Sequence, residues 1–188
     1  MKLTKIAIIV VILPFFVIMW YQWSFTDKFD QVFYPLEYKE EISQASKKYS
    51  IDPYLIAAMI YEESKFNPSS ESQAGAVGLM QIMPDTGRWV AGKQKRSFRA
   101  DDLLDHRVNI DIGCWYFNYL RDKYGDERLA LAAYNSGHKN VDRWLNDGLH
   151  NNIDDMLEAI PFKETRLYVQ KVTKTREQYA EIYSGEFE

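Results

Sequence analysis

The sequence predicts an all-α, mostly helical domain behind an N-terminal transmembrane helix. Three observations carry this. Helix start and stop signals recur in pairs between residues 36 and 184. No convincing run of alternating apolar residues appears, which leaves any sheet minor. A single uninterrupted apolar run occupies the N-terminus.

That run comes first. Lys2 and Lys5 precede it, and no charged residue falls from Ile6 through Thr26, 21 positions in all. At about 1.5 Å per residue such a helix covers roughly 30 Å, the thickness of the hydrocarbon core of a bilayer. Trp20, Tyr21 and Trp23 fall at the outer interface and the lysines stay inside. Residues 1–25 therefore read as an uncleaved signal anchor, single-pass, with the rest of the chain extracytoplasmic. The rival is a cleaved signal peptide and a secreted product, but bulky aromatics stand where a small-x-small cleavage site belongs. Residues 26–35 read as a juxtamembrane linker.

The domain spans 36–184. A charged, lightly amphipathic helix occupies 36–49. Asp52 and Pro53, as N-cap and first helical residue, open a helix that runs to about Ser64 and stops before Asn67-Pro68. Small residues make 69–77 a loop, and a short helix starts near Asp85. A strongly apolar helix over 106–123 is closed by Gly125, and Asp126 opens the next, which ends near 134–137. Further helices are predicted over 139–145 and 162–183. Asp101-Asp102 and Asp154-Asp155 read as helix starts or solvated loop charges.

Composition narrows the function. Apolar residues make up 46% and charged residues 27%, which excludes wholesale disorder. Beyond Thr26, 21 basic residues face 27 acidic ones, a net of −6, which argues against nucleic acid as a partner and against charge as the means of holding an anionic membrane. The chain is rich in rings, with 13 Tyr, 10 Phe and 5 Trp. These suit a large core, a sugar-binding cleft or a membrane boundary. One cysteine, Cys114, excludes an internal disulfide and reads as buried and inert within an apolar helix. His106, His138 and His150 lack paired ligand spacing, no calcium loop is present, and no cofactor is called for.

One carboxylate sits on an unusual face. At about 100° per residue, Ile56, Met59 and Ile60 project to one side of their helix and Glu63 falls between them, with Glu62 about 100° away. Burial among such neighbours disfavours the charged form and raises the pKa, which suits a general acid. The plainer reading is a half-exposed glutamate at a helix end, paired with Lys65 or an arginine. Downstream, Gly75-Ala76-Val77-Gly78-Leu79-Met80-Gln81-Ile82-Met83-Pro84 combines glycines that let backbone approach a ligand with a glutamine that can donate and accept.

ESKFNP, AVGLMQIMP, LAAYNSG and IPFKETRLYVQKV, in that order, resemble the soluble lytic transglycosylase domain of the goose-type lysozyme superfamily, from about residue 42 to 179. The resemblance implies a lysozyme-like fold that cleaves the β-1,4 bond between N-acetylmuramic acid and N-acetylglucosamine in peptidoglycan strands. It places the catalytic acid at Glu63. It places substrate contacts at Ser72, Gln81, Met83, Tyr134, Asn135 and Glu164. Each of the last three has a plainer role available: Tyr134 as satisfied core, Asn135 as a helix cap, Glu164 as a first-turn acid. The chain departs from the family after Asn135, where Ser136-Gly137-His138-Lys139-Asn140 replaces the common Gly-Pro-Gly, which affects one cleft wall. By resemblance a single acid suffices, because the C6 hydroxyl of the muramic residue attacks C1 and leaves a 1,6-anhydro end. A hydrolytic muramidase and a non-catalytic wall-binding assembly factor are the alternatives, and protein partners are left open.

Overall fold

The computed structural model describes residues 30–147 and 153–187. The segment read as an anchor lies outside these residues, and among them no helix is long and apolar enough to cross a membrane. The chain divides into two units, residues 1–35 and residues 36–188. The second consists of helices α1 Lys39–Tyr49, α2 Pro53–Ser64, α3 Pro84–Lys93, α4 His106–Tyr124, α5 Glu127–Ser136, α6 His138–Asn146, α7 Ile153–Ala159 and α8 Lys163–Ile182, with a 3₁₀ turn over Ala100–Leu104. Among the described residues, strand pairing is limited to the isolated bridges Glu71–Val77 and Val77–Ile82.

The cap residues set most boundaries. Asp52 accepts from the Tyr54 amide at 2.9 Å, Asp105 from those of Arg107 and Val108, and Asp126 from those of Arg128 and Leu129. Gly125 ends α4 at φ 67°, with its amide bonded to the Arg121 carbonyl. Helix α1 begins three residues later than the pattern predicts. Tyr38 adopts φ 53° there, with its ring stacked on Phe66 and tilted against His106. The seven-residue α7 and the 3₁₀ turn are too short to give a periodic signal, and their acidic pairs occupy first turns.

Helix α2 is the axis of the domain. Residues Leu55 to Ile60 are all buried, so the helix is enclosed on every side rather than packed on one face. Its most extensive neighbour is α8. Arg176 of α8 reaches Asp52 at 2.5 Å and Glu127 at 2.9 Å, tying the starts of α2 and α5 to one side chain.

The irregular segment 69–83 is held by side chains from three of these helices. Asn109 of α4 is fully buried; its Oδ1 accepts from the Met80 amide at 2.8 Å, and its Nδ2 donates to the carbonyls of Val77 and Leu103 at 2.8 and 2.9 Å. Ser64 of α2 donates to the Leu79 carbonyl at 2.8 Å, and Tyr134 of α5 to that of Met80 at 2.8 Å. Gly78, at φ +81°, lies so close to Asn109 that a Cβ there would stand 2.2 Å from Nδ2. Buried peptide groups need such partners when no ladder supplies them. Asn109→Ala orphans the Met80 amide and the Leu103 carbonyl, while the Val77 carbonyl keeps the Ile82 amide at 3.0 Å, so we expect a loss of about 2 kcal/mol in urea unfolding. A loss below about 0.5 kcal/mol would show that the loop is held by something else.

Candidate active site

A groove of about 540 Å³ opens where four segments meet. The C-terminal turn of α2 contributes Glu62 and Glu63, the loop Ser72 and Gln81, and the end of α5 Asn135. The first turns of α8 contribute Lys163, Glu164, Leu167, Tyr168 and Lys171. Five of the seven residues singled out in the sequence thus line one surface.

Glu63 is half-buried at the base of the groove. Burial pushes its carboxyl up to about 7, and the negative charges of Glu62 and Glu164 push the same way. The last turn of a helix, where backbone carbonyls point outward, is also a poor place for an anion. Among the described residues no cation pairs with Glu63; Lys65 turns instead to Glu62, at 3.4 Å, and covers the ring of Tyr61. Glu62 is held further by the Thr175 hydroxyl at 2.7 Å. Tyr168 works in the opposite direction. Its buried hydroxyl closes no ordinary hydrogen bond but faces Glu63, where it favours the charged form.

The remaining residues differ in what they can offer. Gln81, at φ 48°, donates both amide hydrogens inward, to the carbonyls of Ser70 at 3.1 Å and Gly78 at 2.9 Å, so only its oxygen is left for a ligand. Ser72 closes the turn 72–76 through its hydroxyl and backbone and lines the groove at the same time. Asn135 is not a cap; Gly137 is. Its Oδ1 accepts from Thr165 at 2.9 Å, which turns the amide nitrogen the other way. Glu164 is exposed in the first turn of α8.

Two residues stand apart. The Tyr134 hydroxyl is spent on the Met80 carbonyl and does not face the groove, although the charge of Glu63 and deep burial both hold its proton on. Met83 caps the start of α3, 42% exposed, and does not line the groove. Tyr168, Lys163, Leu167 and Lys171 line the groove although the sequence argument gave them no role, and Glu62 entered it only as a neighbour of Glu63. The signal for Tyr168 was present: Glu164, Tyr168 and Lys171 recur at i, i+4 and i+7, which places them on one helical face. His106 bonds Glu41 at 3.1 Å, and the Cys114 thiol is buried against Met80 with its pKa pushed up by burial.

The sequence model of the transglycosylase SLT domain matches residues 40–156, more than half of the chain. The chain belongs to the transglycosylase SLT domain family. Similar proteins include the soluble lytic murein transglycosylase of Salmonella typhimurium, 36% identical over 148 residues that cover 74% of this chain and 22% of that protein. Membrane-bound lytic murein transglycosylase C of Actinobacillus pleuropneumoniae is 33% identical over 169 residues, 78% of this chain and 46% of the other. Among solved structures, the 70 kDa soluble lytic transglycosylase of Escherichia coli superposes with a TM-score of 0.77 at 31% identity, over 84% of this chain and 26% of that one. The chain therefore spans about a fifth to a half of the length of these relatives.

The balance at Glu63 is open to measurement. Because the folded carboxyl holds its proton up to about pH 7 while its ordinary value is 4.5, folding is favoured most when it is protonated. Stability falls as the pH rises from about 4.5 to about 7, by on the order of 3 kcal/mol. Tyr168→Phe removes the group that favours the anion and is expected to raise the Glu63 midpoint, whereas Glu164→Gln lowers it. Carboxyl-carbon NMR titration reads both, and shifts of the same sign in the two variants would refute this electrostatic account.

Proposed function

We propose that this chain is a peptidoglycan lytic transglycosylase in which Glu63 is the single acid and base. The observation that supports it most directly is a half-buried carboxyl, free of any cationic partner among the described residues, that keeps its proton to about pH 7 at the base of an open groove. General-acid catalysis near neutral pH needs such a group. Membership of the SLT family and similarity to lytic murein transglycosylases support the same substrate.

In this reading the N-acetylmuramic acid residue lies over Glu63. The carboxyl gives its proton to the glycosidic oxygen, and the bond from C1 to that oxygen breaks. The C6 hydroxyl of the same sugar attacks C1, and its proton passes to the Glu63 carboxylate. The sugar leaves as a 1,6-anhydro end and the enzyme is returned to its starting state. The nucleophile is tethered to the electrophile, so no water need be positioned. Asn135, aimed by Thr165, offers an amide hydrogen to the acetamido carbonyl, and Gln81 offers an acceptor. Tyr134 acts at one remove by fixing the Met80 carbonyl. Ser72 and Glu164 are substrate contacts along the walls, and the exposed Met83, which does not line the groove, is one for sugars beyond it. Residues 1–25 serve as the uncleaved membrane anchor, which holds the domain of residues 36–184 on the wall side; the apolar run and its flanking lysines and tryptophans support this.

Digestion of purified peptidoglycan by the full chain, followed by mass spectrometry, tests the reaction. Anhydro ends lighter than hydrolysed ends by one water are expected. Hydrolysed ends would identify a muramidase instead, and no released product would favour a wall-binding factor. Glu63→Gln is expected to lower turnover by at least about a thousandfold while retaining glycan binding. Wild-type release of fragments by that variant would remove Glu63 from the mechanism.

A further inference from the structure

The α8 wall of the groove carries two ammonium groups without a partner among the described residues. Lys163, Leu167 and Lys171 recur every four residues and so form one stripe along the helix; all three are exposed and line the groove. Within α8 the positions three and four residues away, where a pairing carboxylate would stand, are Arg166 and Leu167 for Lys163, and Leu167, Tyr168, Lys174 and Thr175 for Lys171. Glu164 lies one residue from the first lysine and seven from the second, and it pairs with neither. Glu62, on α2, is already held by Lys65 and the Thr175 hydroxyl. Nor is the charge spent on Glu63, whose carboxyl responds to burial, Tyr168, Glu62 and Glu164.

We propose that the stripe Lys163, Leu167 and Lys171 binds the acidic peptide attached to muramic acid, so that the chain prefers peptide-bearing strands to bare ones. This rests on the transglycosylase reading and deepens it. Charge complementarity names the occupant. In a bare strand the charge is the lactyl carboxylate on each muramic residue; where a peptide is attached, that carboxylate becomes an amide and the charge moves out to the peptide's own carboxylates. The two lysines leave the helix about 12 Å apart, at about 1.5 Å per residue. Leu167, 41% exposed, stands between them. A single carboxylate beside the sugar meets one end of such a stripe. A peptide with separated carboxylates and small apolar side chains between them matches all of it. The setting makes the lysines necessary: beyond Thr26 acidic residues outnumber basic ones by six, and Glu62 and Glu164 line the same groove, so an acidic ligand is repelled unless cations meet it.

Calorimetry on the full chain carrying Glu63→Gln, so that nothing is cleaved, tests this with three tetrasaccharides. The first alternates N-acetylglucosamine and N-acetylmuramic acid and bears a tripeptide of alanine, γ-linked glutamate and alanine on each muramic residue. The second is the same strand with free lactyl carboxylates, and the third is N-acetylglucosamine alone. Adding Lys163→Gln and Lys171→Gln should lower affinity for the peptide-bearing strand about fivefold relative to the uncharged one, and for the bare strand by less than about twofold. Added salt should weaken the peptide-bearing complex of the parent and leave that of the Gln variant nearly unchanged. Lys163→Arg with Lys171→Arg keeps both charges and should preserve the preference, which separates charge from damage to the fold. An unchanged preference in the Gln variant, with anhydro products from wild type, overturns the peptide wall alone. An equal loss for the bare strand gives the lysines to the lactyl carboxylate and overturns it as well. Absence of binding to all three strands, with no product from wild type, overturns the wall and the transglycosylase reading together.

Discussion

The floor of the groove depends on hydrogen bonds from side chains to the backbone of a loop with no regular structure. Between Val77 and Ile82 the chain makes only isolated bridges, yet its peptide groups are enclosed. Asn109, Ser64 and Tyr134, each from a different helix, supply the partners that a sheet would otherwise provide. An asparagine suits the central position because its amide donates twice and accepts at once, which few side chains can do. Close approach of the loop to α4 adds a steric condition that Gly78 meets, and Gly113 meets another where Met80 packs against α4.

Opposed electrostatic influences meet at Glu63. Enclosure and two like charges hold its proton on, while the Tyr168 hydroxyl eases its release. In the proposed reaction the carboxyl gives up a proton and then recovers one, and a poised position suits both halves, since either extreme would slow one of them. The groove combines these influences without a metal-like concentration of charge. Its acids are spread over α2 and α8, with Lys163 and Lys171 on the same wall as Glu164.

Much of the helical framework was legible from local chemistry. Asp52-Pro53, Asp126 and Gly125 act through neighbours in the chain, and the helices begin and end where they indicate. Glu63 was legible too, because a helix fixes the directions of its side chains. What the sequence hid was settled by distant contacts. Tyr38 starts α1 late because Phe66 and His106 pack on it. The Gln81 hydrogens are consumed by carbonyls of its own loop, which a motif cannot reveal. Tyr134 faces Met80 rather than the groove, and Tyr168 reaches Glu63 only because α8 lies alongside α2. In each case the residue type was informative, and its direction required the fold.

Glu63 and Ser64 are neighbours in the chain, and Ser64 fastens the Leu79 carbonyl. The Glu63 carboxyl and the floor of the groove are therefore bolted to the same half-turn of backbone, so neither can drift without the other. Such a block behaves as an anvil: fixed, indifferent to what is laid on it, and unable to widen for a bulkier substituent. Room for a bulkier ligand falls to the opposite jaw, the opening turns of α8, where the long exposed side chains of Lys163, Glu164 and Lys171 can swing aside.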